Sequence, residues 1–310
     1  MSWIIVAISA YLMLAITNIL DKFLVENVLK SSKAYTFLVC IFSGLAILAA
    51  PWFLKWPGVS LFLLDIFTGA VFSLALFFLY ESLRRGEASR VLVLIGGITP
   101  LFSLIFSFIF LKEEYNQQQL VGFGLLLIGV CAIACLPKER NYLSRILNKI
   151  KFNFSSKSGG LWCAFLSAFL YAVYFISSKI AYLDQSFASV FIWSRLGAVL
   201  FVLFFLIGKT DRLIIFNSFK KGNPNKNKFL VISNQILGSI GFILQNYAVF
   251  LGSVALVNAL QGVQYAFILI ISTALALLSP KLLKETFSWR NLIQKILAVA
   301  LIIGGLYFII

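Results

Sequence analysis

The chain has no histidine, and among its 310 residues only 11 are acidic. The absence of histidine excludes His-metal sites and Ser-His or Cys-His nucleophile pairs. The acids near apolar segments, Asp21, Asp65 and Glu81, form no close carboxylate pair, and the sequence has no glycine-rich phosphate-binding motif. We therefore expect a protein that is not an enzyme, needs no cofactor and does not hydrolyse ATP.

Cysteine is also scarce, and the four that occur (Cys40, Cys131, Cys135 and Cys163) all lie within apolar runs. Cysteines in such surroundings behave as small buried hydrophobic residues. Cys131 and Cys135 share a helix face, but packing explains their spacing without a ligand. The cysteines therefore predict neither a disulfide framework nor a metal site.

Apolar residues are abundant: the chain is 61% hydrophobic, only 12% charged, and contains 32 phenylalanines. Soluble domains carry about twice that charged fraction. Apolar runs of roughly 20 residues can cross a bilayer as helices, and lipid leaves no other way to satisfy their backbone polar groups. The sequence predicts an all-α integral membrane protein with ten transmembrane helices. These predicted spans are 3–24, 34–54, 60–83, 89–111, 118–136, 159–181, 186–207, 229–250, 253–278 and 290–310.

The net charge of +15 reflects basic residues scattered through the short loops between spans. Cytoplasmic loops of membrane proteins collect lysine and arginine, so this charge does not indicate nucleic-acid binding. Most of the 26 basic residues follow spans 1, 3, 5, 7 and 9, whereas the other side has only Lys55, Lys112 and Lys179. We therefore predict a multi-pass protein of the cell membrane, such as a bacterial inner membrane, with both termini outside the cytoplasm.

Two stretches of the chain resemble each other, one from Tyr80 to Glu114 and the other from Asn246 to Thr286. Setting Gly86 on Gly252 pairs Gly96 with Gly262. A short insertion near Ser279 and Pro280 then brings segment 111–113 (LKE) onto segment 283–285 (LKE). A match of this kind indicates duplication, and with five spans per half the second copy must be inverted. The predicted domains are a five-helix repeat at 1–136, a polar linker at 137–158 and a second repeat at 159–310.

Small residues also recur at the same spacing in the fifth and tenth spans. Gly122 and Gly129 are seven residues apart, as are Ala298 and Gly305. Small residues allow membrane helices to approach closely, so we expect these two spans to pack together.

The order of these features, together with an arginine-containing seventh span (IWSRLGA, 192–198), resembles the EamA family of the drug/metabolite transporter (DMT) superfamily over essentially the whole chain. The resemblance implies a cavity between the repeats and secondary active transport, by alternating access, of a small organic solute such as an amino acid, metabolite or drug. Export or exchange is the common direction. The first span has no central glutamate, where four-helix relatives carry their proton- and drug-binding carboxylate, so the resemblance does not extend proton coupling at that position to this chain.

Two other functions remain open at this point. A lipid or lipid-headgroup translocase or scramblase of the same fold would use a groove that opens sideways to lipid. A scaffold that transports nothing is the third, although a large soluble interaction domain is missing. The expected partners are a small-molecule solute and membrane lipids, with no nucleic acid, and the expected state is a monomer.

Polar residues within spans usually face the protein interior, because lipid does not solvate them. In the ninth span, Asn258, Gln261 and Tyr265 follow i, i+3, i+7 spacing and form one stripe, with Gln264 at its edge. The first-half counterparts are apolar or nearly so (Leu92, Ile95 and Thr99), which predicts a cavity with one polar wall. Interhelical hydrogen bonding that holds the bundle together is the alternative.

Arg195 falls roughly eight residues, or about 12 Å, into the seventh span. A guanidinium at that depth needs a partner or a water-filled cavity. It either binds an anionic group of the substrate or serves a structural role. The remaining candidate substrate-binding residues are Asn18, Lys22, Tyr80, Tyr174 and Asn246. Packing is the alternative for the tyrosines, and solvation at the membrane surface is the alternative for Lys22.

Overall fold

The structure is a computed structural model that describes residues 2–29, 31–85, 88–134, 158–221, 224–278 and 289–309. These residues are almost entirely helical. The first half contains α1 (Ser2–Phe23), α2 (Ser32–Ser43), α3 (Ala50–Phe53), α4 (Val59–Arg85), α5 (Ala88–Phe106) and α6 (Gln117–Ala134). The second half contains α7 (Ser158–Asp184), α8 (Phe187–Leu203), α9 (Lys209–Lys221), α10 (Pro224–Leu251), α11 (Val254–Ala259), α12 (Gln261–Leu278) and α13 (Trp289–Ile309).

Seven helical segments in the described residues are long and apolar enough to cross a membrane. These are Ser2–Asp21, Ser32–Phe53, Val59–Arg85, Leu94–Leu111, Gly159–Asp184, Phe187–Leu206 and Phe229–Leu251. Two shorter apolar stretches follow them, Val254–Ile268, which spans α11 and the start of α12, and Ala300–Ile309 within α13. The predicted all-α membrane class is confirmed, whereas the total of ten spans stays a prediction. The proposed linker falls almost wholly on residues 135–157, and segment 283–285 also lies outside the described residues.

Contacts between helices define the two ends of the bundle. At one end, which we call the basic end, the Ser82 hydroxyl donates to the Gly160 carbonyl (2.8 Å) and Lys33 pairs with Asp211 (2.6 Å). At the opposite end, Trp3 of α1 packs against Gly252 and Gln185 donates to Asp65 (3.0 Å). Thus α1 starts at the opposite end, whereas α7 starts at the basic end, and these first helices of the two halves run in opposite directions.

Close approaches of glycines bring the two halves together. A Cβ added at Gly122 of α6 would lie 2.7 Å from the Gly305 carbonyl oxygen of α13. The prediction that the fifth and tenth spans pack together is therefore confirmed. A second approach joins α4 to α8, where a Cβ at Gly69 would lie 1.9 Å from the Ser194 carbonyl oxygen. Only glycine allows backbones to come this close.

Helix α9 occupies part of the polar segment 208–228, for which the sequence predicted no helix. Ile215 is fully buried on the side of α9 that packs against α2, and Asp211 on the same side binds Lys33. Leu213, Ile214 and Phe216 remain exposed. Charged and apolar residues alternate too closely here for a spanning pattern, and packing on α2 stabilises the helix.

Candidate functional site

A cavity of about 80 Å³ lies between the two halves, surrounded by α1, α4, α5, α7, α10 and α12. One group of its lining residues carries side-chain amides: Asn18, Gln245, Gln261 and Gln264. The rest are apolar, aromatic or hydroxyl-bearing: Leu14, Leu79, Leu92, Ile95, Thr99, Tyr171, Phe175, Phe242 and Tyr265. The cavity is therefore chiefly polar towards α10 and α12 and apolar towards α5. Such a lining can bind an uncharged polar group while covering a small apolar one.

The helix that carries the polar wall is interrupted beside the cavity. Helix α11 ends at Ala259 and α12 begins at Gln261, so Leu260 separates them. Backbone carbonyls at a helix end lack intrahelical donors. The Tyr11 hydroxyl of α1 donates to the Val257 carbonyl at 2.7 Å and satisfies one carbonyl next to the break. An interrupted helix at this depth is tolerated where it lines a cavity.

The facing helix α5 is also irregular where it lines the cavity. Pro100 has no N–H, so the Gly96 carbonyl lacks its usual helical donor. The Tyr265 ring occupies the space that a Cβ at Gly96 would fill, and its hydroxyl donates to the Leu92 carbonyl. Tyr265 of the second half therefore packs against the backbone of α5 in the first half.

Four of the residues predicted from the sequence line this cavity: Asn18, Gln261, Gln264 and Tyr265. Leu92, Ile95 and Thr99, the expected apolar counterparts, line it as well. Asn258 is buried outside the cavity lining, and its amide donates to Ser103 (2.8 Å). Tyr80 is buried with its ring edge against Tyr35, 4.6 Å between centroids. The side chain of Lys22 lies outside the described ones.

The other three predicted residues form a chain behind the cavity wall. Arg195 donates from Nη2 to the Tyr174 hydroxyl (3.1 Å), which donates to the Asn246 side-chain oxygen (2.6 Å). All three residues are buried, and Arg195 is 0% exposed. Phe242, which lines the cavity, lies 5.1 Å from the guanidinium carbon. Arg195 is thus separated from the cavity by about one aromatic ring.

Sequence reasoning missed two features of this region. Gln245, which was not among the candidates from the sequence, lines the cavity and donates weakly to the Tyr11 hydroxyl (3.4 Å). Asp21 accepts hydrogen bonds from Tyr35 and from Asn234 (2.6 Å), which connects α1, α2 and α10 at the basic end. Asp21 is three residues from Asn18 and therefore lies on the same helix face. This spacing could have added Asp21 to the polar residues expected to contact other helices.

At the opposite end, a second group of hydrogen bonds joins the halves. The Ser253 hydroxyl donates to the Glu113 carboxylate (2.6 Å), and the Tyr115 hydroxyl donates to the same carboxylate. Burial raises the pKa of Tyr115 to about 12, so its hydroxyl remains a donor at neutral pH. Lys179 donates to the carbonyls of Val249 (3.0 Å) and Gly252 (2.8 Å) at the end of α10. The central cavity therefore lies between two ends that both bridge the halves.

Comparison with known proteins assigns the first half of this architecture. Residues 1–135 match the model of the EamA-like transporter family. The matched residues are 135 of the 310 in the chain. EamA is a family of the DMT superfamily, so the resemblance drawn from the sequence is confirmed over these residues. The match and the long apolar helices indicate a multi-pass membrane protein of the transporter type.

A solved structure matches a larger part of the chain. A crystal structure of a protein has a TM-score of 0.65 and 16% sequence identity to it, covering 99% of this chain and 96% of the other. At that identity the likeness shows the fold, which extends over both halves. No curated protein sequence matches the chain.

Proposed function

We propose that this protein is a secondary active transporter that exports or exchanges a small organic solute, such as an amino acid, metabolite or drug. The observation that supports this most strongly is the cavity built by both halves at the level of the α11–α12 break. Interrupted helices at the interface between repeats are where transporters bind their substrates. The solute would contact Asn18, Gln261, Gln264 and Tyr265.

The opposite directions of α1 and α7 support a pair of inverted five-helix repeats, 1–136 and 159–310, that provide ten spans. In such a scaffold, one repeat tilts against the other and exposes the cavity to each side in turn. In each of these states, only the hydrogen bonds at the end where the cavity opens would be broken. The Asp21–Asn234 bond at the basic end and the Glu113–Ser253 bond at the other are the bonds that would open alternately.

The site of action in this proposal is the cell membrane, with a bacterial inner membrane as the expected case and the protein acting as a monomer. Loop charge places the basic end in the cytoplasm and both termini outside. The exposed apolar residues of α9, Leu213 and Phe216, would then lie at the cytoplasmic lipid surface together with the exposed Arg212.

Reconstitution into liposomes tests the proposal. We expect counterflow of at least one labelled solute from a panel of amino acids, nucleosides and organic acids. Gln261→Leu should reduce this counterflow by about tenfold or more, because a polar partner of the bound solute is lost. Gln118→Leu makes the same chemical change at an exposed residue and should leave the rate unchanged.

The same liposomes separate transport from lipid translocation. Movement of fluorescent lipid between leaflets with no counterflow of any solute would contradict the proposal and favour the translocase. Equal rates in the Gln261→Leu and Gln118→Leu variants would remove Gln261 from the solute path.

A further inference from the structure

Arg195 has fewer hydrogen-bond partners than its burial requires. Its Nη2 donates to Tyr174, whereas Nε and Nη1 are buried and have no partner. Those two nitrogens carry three of the five guanidinium N–H groups. Leaving a buried charged donor unpaired is costly, and such groups normally indicate a missing ligand, ion or water.

The surroundings of the guanidinium stabilise its positive charge without neutralising it. Its central carbon lies 4.0 Å from the Phe72 ring centroid, 5.0 Å from that of Phe191 and 5.1 Å from that of Phe242. The faces of aromatic rings attract cations but accept no strong hydrogen bonds. Within the described part of the chain, the ion pairs involve Asp211 and Glu81, and neither acid pairs with Arg195.

A purely structural arginine would look different. Lys179 illustrates that role in the same molecule, because its ammonium group binds carbonyl oxygens at the end of α10. The one hydrogen-bond partner of Arg195 in the described chain is a hydroxyl that also donates to Asn246. The arrangement holds the guanidinium in place and leaves most of its donors available.

The Phe242 ring lies between the cavity and Arg195. Its ring belongs to the cavity lining and to the group of rings around the guanidinium. It is also the one partly exposed ring of that group, since Phe72, Tyr174 and Phe191 are buried. A rotation of Phe242, or a shift of α10, would connect the guanidinium to the cavity.

We propose that Arg195 binds the carboxylate of the transported solute and that Phe242 separates the two in the state described here. This inference rests on the proposed transport function and specifies the class of its substrate. A carboxylate fits better than a phosphate dianion, because Arg195 supplies a single positive charge and the described lining residues include no lysine or arginine. The amides of Gln245, Gln261 and Gln264 would contact the uncharged polar part of the same solute.

The test compares matched pairs of probes that differ only at the acid: phenylalanine with phenylalaninamide, leucine with leucinamide, and benzoate with benzamide. Thermal shift of the purified protein gives each affinity, and liposome counterflow follows for the probes that bind. We expect the carboxylate of at least one pair to bind more tightly than its amide, by about ten- to a hundredfold for charge-assisted hydrogen bonds. Inorganic phosphate should produce no shift.

Variants assign this preference to Arg195. In Arg195→Gln the carboxylate and the amide should bind within about threefold of each other, and Arg195→Lys should retain only part of the preference, because an ammonium lacks the planar arrangement of donors. Phe242→Ala keeps the guanidinium, so the preference should persist in it. Arg212→Gln, at an exposed arginine of α9, is the matched control and should behave as wild type.

The wild-type comparison is decisive even if the Arg195 variants do not fold. Amides that bind as tightly as their acids in the wild-type protein would overturn the carboxylate site and leave the transport proposal standing. A full preference in Arg195→Gln would also overturn it. The absence of binding and counterflow for every probe would overturn the carboxylate site, whereas counterflow of another solute of the panel, such as a nucleoside, would leave the transport proposal standing. Tighter binding of phosphate than of carboxylates would contradict the assigned class.

Discussion

Gly69 provides a sharp test of the packing around the candidate site, because it touches the residue next to Arg195. A Cβ at position 69 would lie 1.9 Å from the Ser194 carbonyl oxygen and 2.6 Å from the Ala198 nitrogen. Both atoms belong to the backbone of α8, so no side-chain rotation relieves the clash. The helices would have to separate by about 1 Å in a close-packed interior. We expect Gly69→Ala to destabilise the protein by about 1–3 kcal/mol.

The matched control is Gly124→Ala, because a Cβ at Gly124 would have no atom within 4 Å. Alanine favours a helix over glycine by up to about 1 kcal/mol, so this variant should equal or exceed wild type in stability. Heating both variants in detergent and measuring the fraction that stays monodisperse gives the comparison. Equal melting temperatures for Gly69→Ala and Gly124→Ala would refute the close crossing of α4 and α8.

Two further predictions concern Lys179 and the orientation in the membrane. Lys179→Gln removes an ammonium that binds three carbonyls at the end of α10, so it should lower stability by about 1–2 kcal/mol, whereas Lys209→Gln at an exposed lysine should not. Equal melting temperatures for Lys179→Gln and Lys209→Gln would show that these carbonyls do not need the ammonium group. In intact cells, on a background without the four native cysteines, a membrane-impermeant maleimide should label Ser2→Cys and spare Asn223→Cys. The reverse labelling would overturn the orientation drawn from loop charge.

The sequence predicted the long helices well because membrane spans follow from local composition. The spans expected at 60–83 and 159–181 correspond to α4 (Val59–Arg85) and α7 (Ser158–Asp184). Apolar length determines such segments, and a single segment in lipid can satisfy its own backbone polar groups only as a helix. The contact of Gly122 with Gly305 was predictable as well, since small residues at equal spacing have few other uses in lipid.

The break in the predicted ninth span was not visible in the sequence. Leu260 is a good helix former, and the weak helix formers near it are Asn258 and Gly262. Beside the break, the Tyr11 hydroxyl binds the Val257 carbonyl from a helix 246 residues away in the sequence. Local periodicity does not reveal such a tertiary contact, and it placed Asn258 and Gln261 on one stripe.

For Arg195 the sequence raised the right question without answering it. Its depth in the span showed that a partner was needed. The partner, Tyr174, and the rings of Phe72 and Phe242 come from three other helices. No spacing rule within one helix predicts which rings from other helices surround a side chain.

The central claim is that a solute crosses the membrane through the cavity between the two halves. Thiol modification of Gln261→Cys tests this most directly, on a background without the native cysteines and with a solute identified by counterflow. The account predicts that N-ethylmaleimide blocks counterflow by this variant and that the solute slows the labelling. Gln118→Cys, at an exposed residue at the start of α6, should be labelled without loss of transport. Normal counterflow by fully labelled Gln261→Cys would contradict the account.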